Sequence, residues 1–370
     1  MLIQIHMLQN YAPNNLNRDD TGSPKDAMFG GVKRGRISSQ CLKRSIRHSV
    51  TFAEAFKDAG LLATRTKRLP GLIDNELAAL GADEKIREAI VIRIPEIGRE
   101  SDKGGASKSE EGEIETKQLI FISLNELKPL AEKLLARYQE LGDQKWKKEK
   151  IADITKVLGS SVPRSVDVAM FGRMTTSAAF EDMQAAVQVA HTLTANAIAQ
   201  EFDYFTAVDD ISGESGAGMI GDVEFNSATH YKYLNVHWEQ LLTNLGGDEE
   251  IAQQSVLALL EATTIAQPSG KQNSFAAHNL PDLILVEVQQ RNLPVSYANA
   301  FVKPVSQTRQ DSLMDAAIKA LSGYREKLRR AYGMNGVNAY MAVNGQQVSD
   351  AEAQESLSNL QQWLAQQLPE

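Results

Sequence analysis

The chain has little of what membrane proteins and disulfide-stabilised proteins need. Among 370 residues there is one cysteine, Cys41, so no disulfide bond can form within the chain. No run of about 20 consecutive apolar residues occurs, which argues against a membrane-spanning helix. The first residues, Met1 to His6, lack the basic and apolar regions of a secretion signal. We therefore expect a cytoplasmic protein without a membrane partner.

Motifs for catalysis, metal binding and nucleotide binding are also missing. The sequence has no H-E-x-x-H, G-x-S-x-G or Cys-x-x-Cys arrangement, and its basic loop lacks the glycine and lysine spacing of a P-loop. Its six histidines are dispersed along the chain, which does not favour a zinc site. Cys41 follows a predicted helix start beside cations, but no general base is evident, so we interpret it as a packing residue. The sequence predicts no enzyme activity, metal or cofactor.

Positive charge is scarce overall but concentrated in one segment. The chain carries 39 Lys and Arg against 47 Asp and Glu, a net charge of −8. Between residues 18 and 47 the balance reverses, because three aspartates face eight cations: Arg18, Lys25, Lys33, Arg34, Arg36, Lys43, Arg44 and Arg47. A positive patch in an acidic protein indicates a particular polyanion rather than general attraction to nucleic acid.

The arrangement of this segment predicts a phosphate-binding surface. A glycine-containing basic loop at about residues 10–36 leads into Ser38 and Ser39, which are good helix N-caps, and a helix is predicted from Ser38 to about Phe56. Two faces are expected on this helix: a polar one with Gln40, Lys43 and Arg47, and an apolar one with Leu42, Ile46, Val50 and Ala53. The polar face and the loop would meet a phosphodiester chain; a solvated basic loop is the alternative.

Strand and helix patterns along the chain indicate an α+β fold. Strands are predicted at 2–8, 165–171, 186–194 and 283–288, and helices at 248–266 and near the C-terminus. A helical, charged insertion occupies about 65–160 and contains a polar stretch at 101–112 that we expect to be mobile. Two aromatic strands at 202–206 and 231–236 flank a glycine-rich segment, which predicts a protruding hairpin. These elements suit a ferredoxin-like or RNA-recognition-type core, although the aromatic RNP1 strand is absent.

Several motifs resemble one family. The segments Leu16–Asp20, Lys25–Gly31 and Arg36–Arg44 are similar to the N-terminal signature of the CasC-type backbone subunit of the type I-E CRISPR Cascade complex, of the RAMP superfamily. Later motifs occur in the family's order and spread over most of the chain: Asp167–Met174, Phe205–Asp210, Gly270–Gln272 and Tyr297–Phe301.

The resemblance implies a modified RNA-recognition-type palm with a helical fingers insertion and a protruding thumb arm. The expected divisions are palm at 1–60, fingers at 61–163, palm again at 164–201, thumb arm at 202–230, and the remaining palm with C-terminal helices at 231–370. It further implies that several copies polymerise along a CRISPR RNA, together with other Cascade subunits. Protein would hold the guide, and the guide would read target DNA by base pairing.

The resemblance also assigns roles to single residues. Guide phosphates would be held by Arg18, Lys25, Ser38, Gln40, Lys43, Arg44 and Arg47, with Lys33, Arg34 and Arg36 in the same basic segment and Lys271 as a further candidate. Met174 would wedge near a displaced nucleotide, and Phe205 with Thr206 would lie at the thumb base beside it. Stacking of a base on such a side chain is worth about 1–3 kcal/mol without requiring a sequence.

A second basic cluster, at Lys145, Lys147, Lys148 and Lys150, lies on a predicted helix and is interrupted by Trp146 and Glu149. The family has a lysine-rich finger helix that contacts target DNA, and the alternative is a solvated helix face.

Two other functions stay open at this stage. Backbone subunits of type III complexes cleave target RNA with a loop aspartate, and Asp19, Asp20 and Asp26 lie in the corresponding loop. These aspartates would otherwise pair with Arg18, Lys25 and Lys33 to shape the loop. The third function is a general scaffold, with or without RNA.

Overall fold

A computed structural model describes residues 1–57, 59–97, 107–108, 112–117, 119–150, 153–154, 165–174, 182–211 and 215–369. The chain divides into two compact units. The first contains Met1–Phe52, Gln188–His237 and Val256–Glu370, and the second contains Ala53–Val187 and Trp238–Ser255. Each is described by itself below.

The first unit is built on a large sheet, which has ten strands in the described part of the chain. Eight follow the order β14-β13-β12-β1-β11-β9-β3-β2, and β8 and β10 also pair with β11. The strands are β1 (Leu2–Asn14), β2 (Asp26–Phe29), β3 (Val32–Ile37), β8 (Val187–Val189), β9 (Thr192–Thr194), β10 (Glu201–Val208), β11 (Ser215–His237), β12 (Leu283–Gln289), β13 (Val337–Ala342) and β14 (Glu352–Ala353).

Strand β1 lies in the centre of this sheet. It pairs antiparallel with β11 on one side, where Leu2 is opposite His237, and with β12 on the other, where Leu2 is opposite Gln289. Residues 2–9 are all buried, as expected for a strand covered on both faces. The predicted strands at 2–8 and 283–288 are confirmed, and the first extends to Asn14.

A two-stranded hairpin lies inside the segment predicted as a loop. Strands β2 and β3 pair so that Phe29 is opposite Val32, and the turn between them is Gly30 and Gly31 with φ of 62° and 75°. Such positive φ values are accessible to glycine and suit a two-residue hairpin turn. A Cβ on Gly30 would lie 1.9 Å from the carbonyl oxygen of Val302, so this turn packs directly on that backbone.

The hairpin leads into helix α1 (Ser39–Arg47), whose N-cap is confirmed as Ser38. The Ser38 Oγ accepts a hydrogen bond from the Cys41 N–H, and Leu42 and Ile46 are buried as predicted. The expected single helix to Phe56 is wrong: α1 ends at Arg47 with His48 as its C-cap, and α2 (Val50–Phe56) begins after Ser49, whose Oγ accepts from the Phe52 N–H. Val50 is consequently 69% exposed rather than on the apolar face.

The predicted hairpin arm is confirmed by β10 and the first part of β11, which pair from Glu201 opposite Phe225 to Val208 opposite Ser215. All residues of β10 are exposed or nearly so. The rest of β11 continues into the centre of the sheet beside β1. The arm is therefore an extension of a central strand, anchored at one end by the core of the first unit.

Helices cover the sheet of the first unit: the short α10 (Gln272–Phe275), a 3-10 helix (Ala298–Phe301), α11 (Leu313–Tyr332) and α12 (Leu357–Ala365). Apolar residues of α11 such as Ile318 and Leu321 pack on Leu8, Leu283 and Leu285 from the sheet. The two predicted C-terminal helices are thereby confirmed.

A buried ionic network joins the sheet to α11. Glu287 on β12 accepts hydrogen bonds from the Arg325 Nε at 2.7 Å and the Tyr297 hydroxyl at 2.8 Å. The His6 Nε2 lies 3.3 Å from the same carboxylate, and Arg329 lies 3.4 Å away. Burial by itself would raise the pKa of Glu287, but His6 and Arg325 beside it lower that pKa to about 2. The carboxylate is thus held ionised inside the first unit.

The second unit is mostly helical. Its elements include β4 (Ala63–Thr66), α3 (Leu69–Ala79), α4 (Glu84–Val91), α5 (Ile94–Ile97), β5 (Ser107–Lys108), β6 (Ile114–Glu115), β7 (Ile120–Ser123), α6 (Leu124–Trp146), α7 (Val166–Phe171) and α8 (Trp238–Asn244). β4 pairs with β7, and β5 with β6. The boundaries between units fall within α2, β8 and α9 (Glu249–Ile265) and between β11 and α8. Helix α9 confirms the helix predicted at 248–266.

One apolar core holds α3, α4 and α6 together in the second unit, with Ile73, Leu77, Ile90, Leu134 and Trp146 fully buried. The strand predicted at 165–171 is wrong, because these residues form α7. Val166 to Met170 are all buried. The spacing of apolar residues in such a segment does not distinguish a helix from a strand.

The predicted α+β fold class is confirmed by this mixed architecture of a large sheet with helices. The strand predicted at 186–194 is interrupted at Ala190–His191, between β8 and β9. The palm, fingers and thumb boundaries stay a prediction, and most of the 101–112 stretch lies outside the described residues. No helix of the described chain is long and apolar enough to cross a membrane.

Candidate nucleic-acid interface

Asn17 connects the three parts of the basic segment. Its backbone oxygen accepts from the Lys25 N–H at 2.8 Å, and its Oδ1 accepts from the Ser38 N–H at 2.8 Å. The Lys25 oxygen in turn accepts from the Arg36 N–H at 2.9 Å. The loop, the β2–β3 hairpin and the start of α1 are thus hydrogen-bonded to one another, which brings Lys25, Arg36 and Ser38 into one site.

The cations of this site differ in exposure. Arg18 and Arg44 are exposed, as is Gln40, whereas Lys25, Lys33, Arg36, Lys43 and Arg47 are half-buried. Burial lowers the pKa of Lys43. Half-buried cations on the loop, the hairpin and α1 are favourable for phosphate oxygens, because the charges are less screened by water than on an open surface.

Arg34 is the exception among the predicted site residues, since its side chain is fully buried. Its guanidinium donates hydrogen bonds to the backbone oxygens of Thr194 at 2.8 Å, Ala195 at 3.0 Å, Phe301 at 2.8 Å and Val302 at 3.3 Å. Both terminal nitrogens of the guanidinium thus have acceptors within the protein. Arg34 therefore fixes the hairpin to β9 and to the 3-10 helix, and we leave it out of the proposed phosphate contacts.

The aspartates of the loop make structural contacts. The Asp19 carboxylate accepts from the Thr21 N–H, the Thr21 hydroxyl and the Ser23 N–H, and the hydrogen bond from Thr21 is the main cause of its lowered pKa. Asp26 pairs with Lys33 at 2.7 Å. No group of three or more His, Cys, Asp or Glu residues in the described ranges is placed to hold a metal ion.

Cys41 lies at the edge of the apolar cluster formed by Tyr11, Leu16, Ile37 and Leu42. Burial raises the pKa of its thiol, and the charges of Lys25 and Arg44 oppose this only in part. The thiol is therefore protonated at neutral pH, which agrees with a packing role.

The loop that contains Lys271 reaches the basic segment. A Cβ on Gly270 would lie 2.3 Å from the Leu16 oxygen, so the two backbones are in direct contact and Lys271 follows immediately. The loop is held on β1 by Gln267, whose Oε1 accepts from the Tyr11 hydroxyl at 2.7 Å. Lys271 is therefore placed beside the loop of the candidate interface.

Phe205 and Thr206 are placed on the hairpin arm. Phe205 lies opposite Gly221, and a Cβ on that glycine would come within 2.7 Å of the Phe205 ring. The absence of a side chain at position 221 thus leaves room for the ring to lie on the arm. Thr206 is exposed and opposite Ile220.

The remaining predicted residues belong to the second unit. Met174 is 94% exposed, which is not the environment of a core methionine. Met174 lies two residues after Gly172, which ends α7 and has a φ of 80°. Gly172 lies next to the backbone of Met183.

Lys145, Lys147, Lys148 and Lys150 are all exposed around the end of α6, whereas Trp146 is buried. The Trp146 Nε1 donates to the Ala89 oxygen at 2.9 Å. The tryptophan between the lysines thus anchors this end of α6 to α4. Lys147 pairs with Asp143 at 2.8 Å, and Glu149 pairs with Arg137. The nearby acids are thus partly neutralised, and the lysines form a positive surface.

One neighbour of the interface, His191, was not singled out by the sequence. Its Nδ1 lies 3.0 Å from the Arg36 Nη1. It occupies the interruption between β8 and β9, and β9 pairs with β3 so that Arg36 is opposite Leu193. The two residues are 155 positions apart in the chain, and no local pattern could have connected them.

Comparison with known proteins places the chain in a family. The CT1975-like protein family matches residues 3–366. The chain belongs to this family. A structure described as "CRISPR RNA-guided surveillance complex, pre-nicking" contains a chain that is 30% identical, with a TM-score of 0.81 and coverage of 99% of this chain and 100% of that one.

A second similar structure, described as "CRISPR RNA-guided surveillance complex", contains a chain that is 26% identical to this CT1975-like protein. Its TM-score is 0.74, and the coverage is 99% of this chain and 100% of that one. No curated protein matches. Both similarities extend over the whole CT1975-like chain and therefore include both units.

Proposed function

We propose that this CT1975-like protein binds CRISPR RNA as a backbone subunit of a Cascade-type surveillance complex. The observation that carries the proposal is its similarity over almost the full length, at 30% identity, to a chain of an RNA-guided surveillance complex. The candidate interface supports it, because the loop, the hairpin and the start of α1 are joined through Asn17 and present several cations to one ligand.

Within this function we assign the phosphate contacts to Arg18, Lys25, Lys33, Arg36, Ser38, Gln40, Lys43, Arg44, Arg47 and Lys271. Phosphate contacts fix the position of a strand without reading its bases. The bases of the guide remain available for pairing with target DNA, as in other RNA-guided effectors. In the first unit, Phe205 and Thr206 would lie beside a displaced nucleotide. In the second unit, Met174 would act as an apolar wedge near such a nucleotide.

We also propose the finer assignment, a type I-E complex in which several copies polymerise along one guide with other subunits. The motifs from Leu16 to Arg44 support the type I-E assignment. An acidic protein can bind RNA in this way, since each copy presents one basic surface to the guide and its other surfaces to neighbours or solvent.

The proposed subunit is not catalytic. Asp19 accepts three hydrogen bonds within its own turn and Asp26 pairs with Lys33, which supports a role in shaping the loop. Incubation of the assembled complex with complementary RNA and Mg²⁺ tests this. Metal-dependent cuts at regular spacing would replace the proposal by the type III-like endonuclease.

The experiment that tests the main proposal is co-expression of the chain with its neighbouring subunits and a CRISPR array, followed by mass measurement of the purified particle. We expect a large particle with several copies of this chain and one RNA of uniform length. A monomer without RNA, or a polymer that forms without RNA, would contradict the guide-binding role.

A further test addresses the phosphate contacts. Lys43→Ala with Arg47→Ala should weaken binding to guides of any spacer sequence and reduce the salt dependence, whose log–log slope is about −0.7 per phosphate neutralised on a single strand. The matched control is Lys327→Ala with Arg330→Ala, which removes two exposed cations from α11. A loss of affinity that depends on the spacer sequence would contradict the assignment.

A further inference from the structure

The His191 imidazole contacts Arg36 of the candidate interface, and this contact fixes its tautomer. An arginine guanidinium is a donor only and stays charged. At 3.0 Å from the Arg36 Nη1, the His191 Nδ1 must therefore accept. The proton of the neutral ring is then on Nε2, so this exposed side chain has one N–H, on Nε2, to donate to a ligand.

Two cations act on this imidazole. The Arg36 Nε donates a hydrogen bond to the Asp26 backbone oxygen at 3.2 Å. The hydrogen bond from the Arg36 backbone N–H to the Lys25 oxygen holds Lys25 beside Arg36. The nearest carboxylate of the hairpin, Asp26, is paired with Lys33 at 2.7 Å. Burial, and then the charges of Arg36 and Lys25, lower the pKa of His191. Its charged neighbours on β3 and on the preceding segment are thus both positive.

Protonation of His191 conflicts with the observed contact. A proton on Nδ1 would place the His191 N–H donor against the N–H donor of Arg36. It would also add a third positive charge beside those of Arg36 and Lys25. An anion between them removes the conflict, because phosphate oxygens accept from the N–H groups of both the imidazolium and the guanidinium and offset the charge. Anion binding and protonation of this histidine are therefore coupled.

We propose that His191, with Lys25 and Arg36, forms a phosphate-binding site for RNA that takes up a proton when the RNA binds. The proposal rests on the proposed function and adds a residue and a pH dependence to it. The bound phosphate raises the pKa of His191, so RNA affinity increases as pH falls through the pKa of the bound state. RNA affinity stops increasing below the pKa of His191 in the free protein. Above the pKa of the bound state, the ring is neutral and contributes only a hydrogen bond.

The test measures binding of a mixed-sequence single-stranded RNA to the full chain at fixed salt, between about pH 8 and about pH 5.5, the range in which histidine titrates. If binding raises the pKa by about one unit, wild-type affinity increases up to about tenfold across this range. His191→Gln keeps an N–H donor but cannot ionise, and we expect it to flatten this dependence. His237→Gln at the far end of β11 is the matched control and should retain it.

The variants are needed because other groups titrate in the same range. Burial lowers the pKa of Lys232 under α1 to about 7. A pH dependence that is the same in wild type and His191→Gln would overturn the proposal. An NMR titration of the histidine ring nitrogens gives a direct readout: the pKa of His191 should rise when RNA is added, and an unchanged value would also overturn it.

Failure of the two proposals can be distinguished. If the wild-type chain and its surveillance particle bind no RNA at any pH, both are wrong. A different outcome is that wild type binds RNA and that the double variant Lys43→Ala with Arg47→Ala weakens this binding. If the pH profile is then the same in His191→Gln, and the ring pKa of His191 does not change when RNA is added, only the inference from His191 fails.

Discussion

Basic side chains that are adjacent in the sequence have different roles in this protein, and burial decides which. Arg34 and Lys33 are neighbours on β3, yet the first is fully buried against four backbone oxygens and the second pairs with Asp26 at the surface. The charge pattern between residues 18 and 47 predicted an anion surface but could not separate the two, because both are arginine or lysine in one short strand.

Arg34→Met should destabilise the first unit. The substitution leaves buried carbonyl oxygens of β9 and the 3-10 helix without a donor, at a cost of about 3 kcal/mol. Arg34→Lys should restore little, since an ammonium group cannot reproduce the planar guanidinium geometry. The thermal unfolding midpoint by circular dichroism measures this. Lys33→Met is the control, because a solvent-exposed ion pair contributes about 0–1 kcal/mol; equal losses for both variants would contradict the structural role of Arg34.

Glu287→Gln should destabilise the chain by about 3–5 kcal/mol near neutral pH, because Arg325 stays buried without its carboxylate partner. The folded-state pKa of Glu287 is about 2, below its ordinary value of 4.5. Its contribution is therefore present above about 4.5 and is lost as pH falls towards about 2. The unfolding midpoints of wild type and Glu287→Gln should converge as the solution is acidified.

The control for this pH series is Glu326→Gln, which changes an exposed carboxylate on the same helix as Arg325. It should leave the midpoint nearly unchanged at neutral pH. A constant difference between wild type and Glu287→Gln from neutral to acid pH would show that ionisation of Glu287 does not stabilise the fold.

At the scale of elements, the arm formed by β10 and the start of β11 depends on a glycine opposite an aromatic ring. Gly221→Ala would bring a Cβ to within 2.7 Å of the Phe205 ring, which can move because it is the end of a flexible side chain. We expect the unfolding midpoint to be unchanged, while RNA affinity falls because the ring no longer occupies its position.

Phe205→Ala should weaken RNA binding by about 1–3 kcal/mol, the contribution of stacking one base on an aromatic ring. Tyr204→Ala is the control, since adjacent strand residues point to opposite faces and Tyr204 is an exposed aromatic of similar size. Affinity is measured with the same mixed-sequence RNA. Equal losses for the two variants would contradict a role specific to Phe205.

Elements with a clear local signal could be predicted from sequence. Strand β1, the Ser38 cap, the arm and β12 each follow from apolar alternation, a capping serine or a buried apolar run. The hairpin at Gly30-Gly31 was missed because its strands carry charges that resemble a loop, although two glycines are a typical hairpin turn. Helix α7 was predicted as a strand because burial on all sides removes its periodicity. His191 needed the sheet pairing itself.

At the scale of the whole molecule, we propose from the family resemblance that the lysines of the second unit contact target DNA, whereas the basic segment of the first unit binds the guide RNA. Changing Lys145, Lys148 and Lys150 to Ala should weaken capture of double-stranded target by the assembled particle and leave guide content unchanged. Filter binding and RNA quantification measure the two. Lys147 is kept because it pairs with Asp143.

The control for the lysine cluster is a triple variant at Lys85, Lys117 and Lys128, which removes three exposed charges elsewhere in the second unit. It should retain target capture, because contacts rather than net charge are proposed to matter. Loss of guide from the particle with Lys145, Lys148 and Lys150 changed would mean that this cluster does not serve target DNA.

The central position of β1 has a consequence for how the protein is made. Its partners are distant in the chain, since Leu8 pairs with Tyr231 and with Leu283. At about 5–20 residues per second of synthesis, this apolar strand waits about 10–50 s on the ribosome before its first partner is available. The second unit's residues 53–187 are complete earlier. Strand β1 is thus translated long before either partner, and its apolar residues stay exposed to aggregation during that interval.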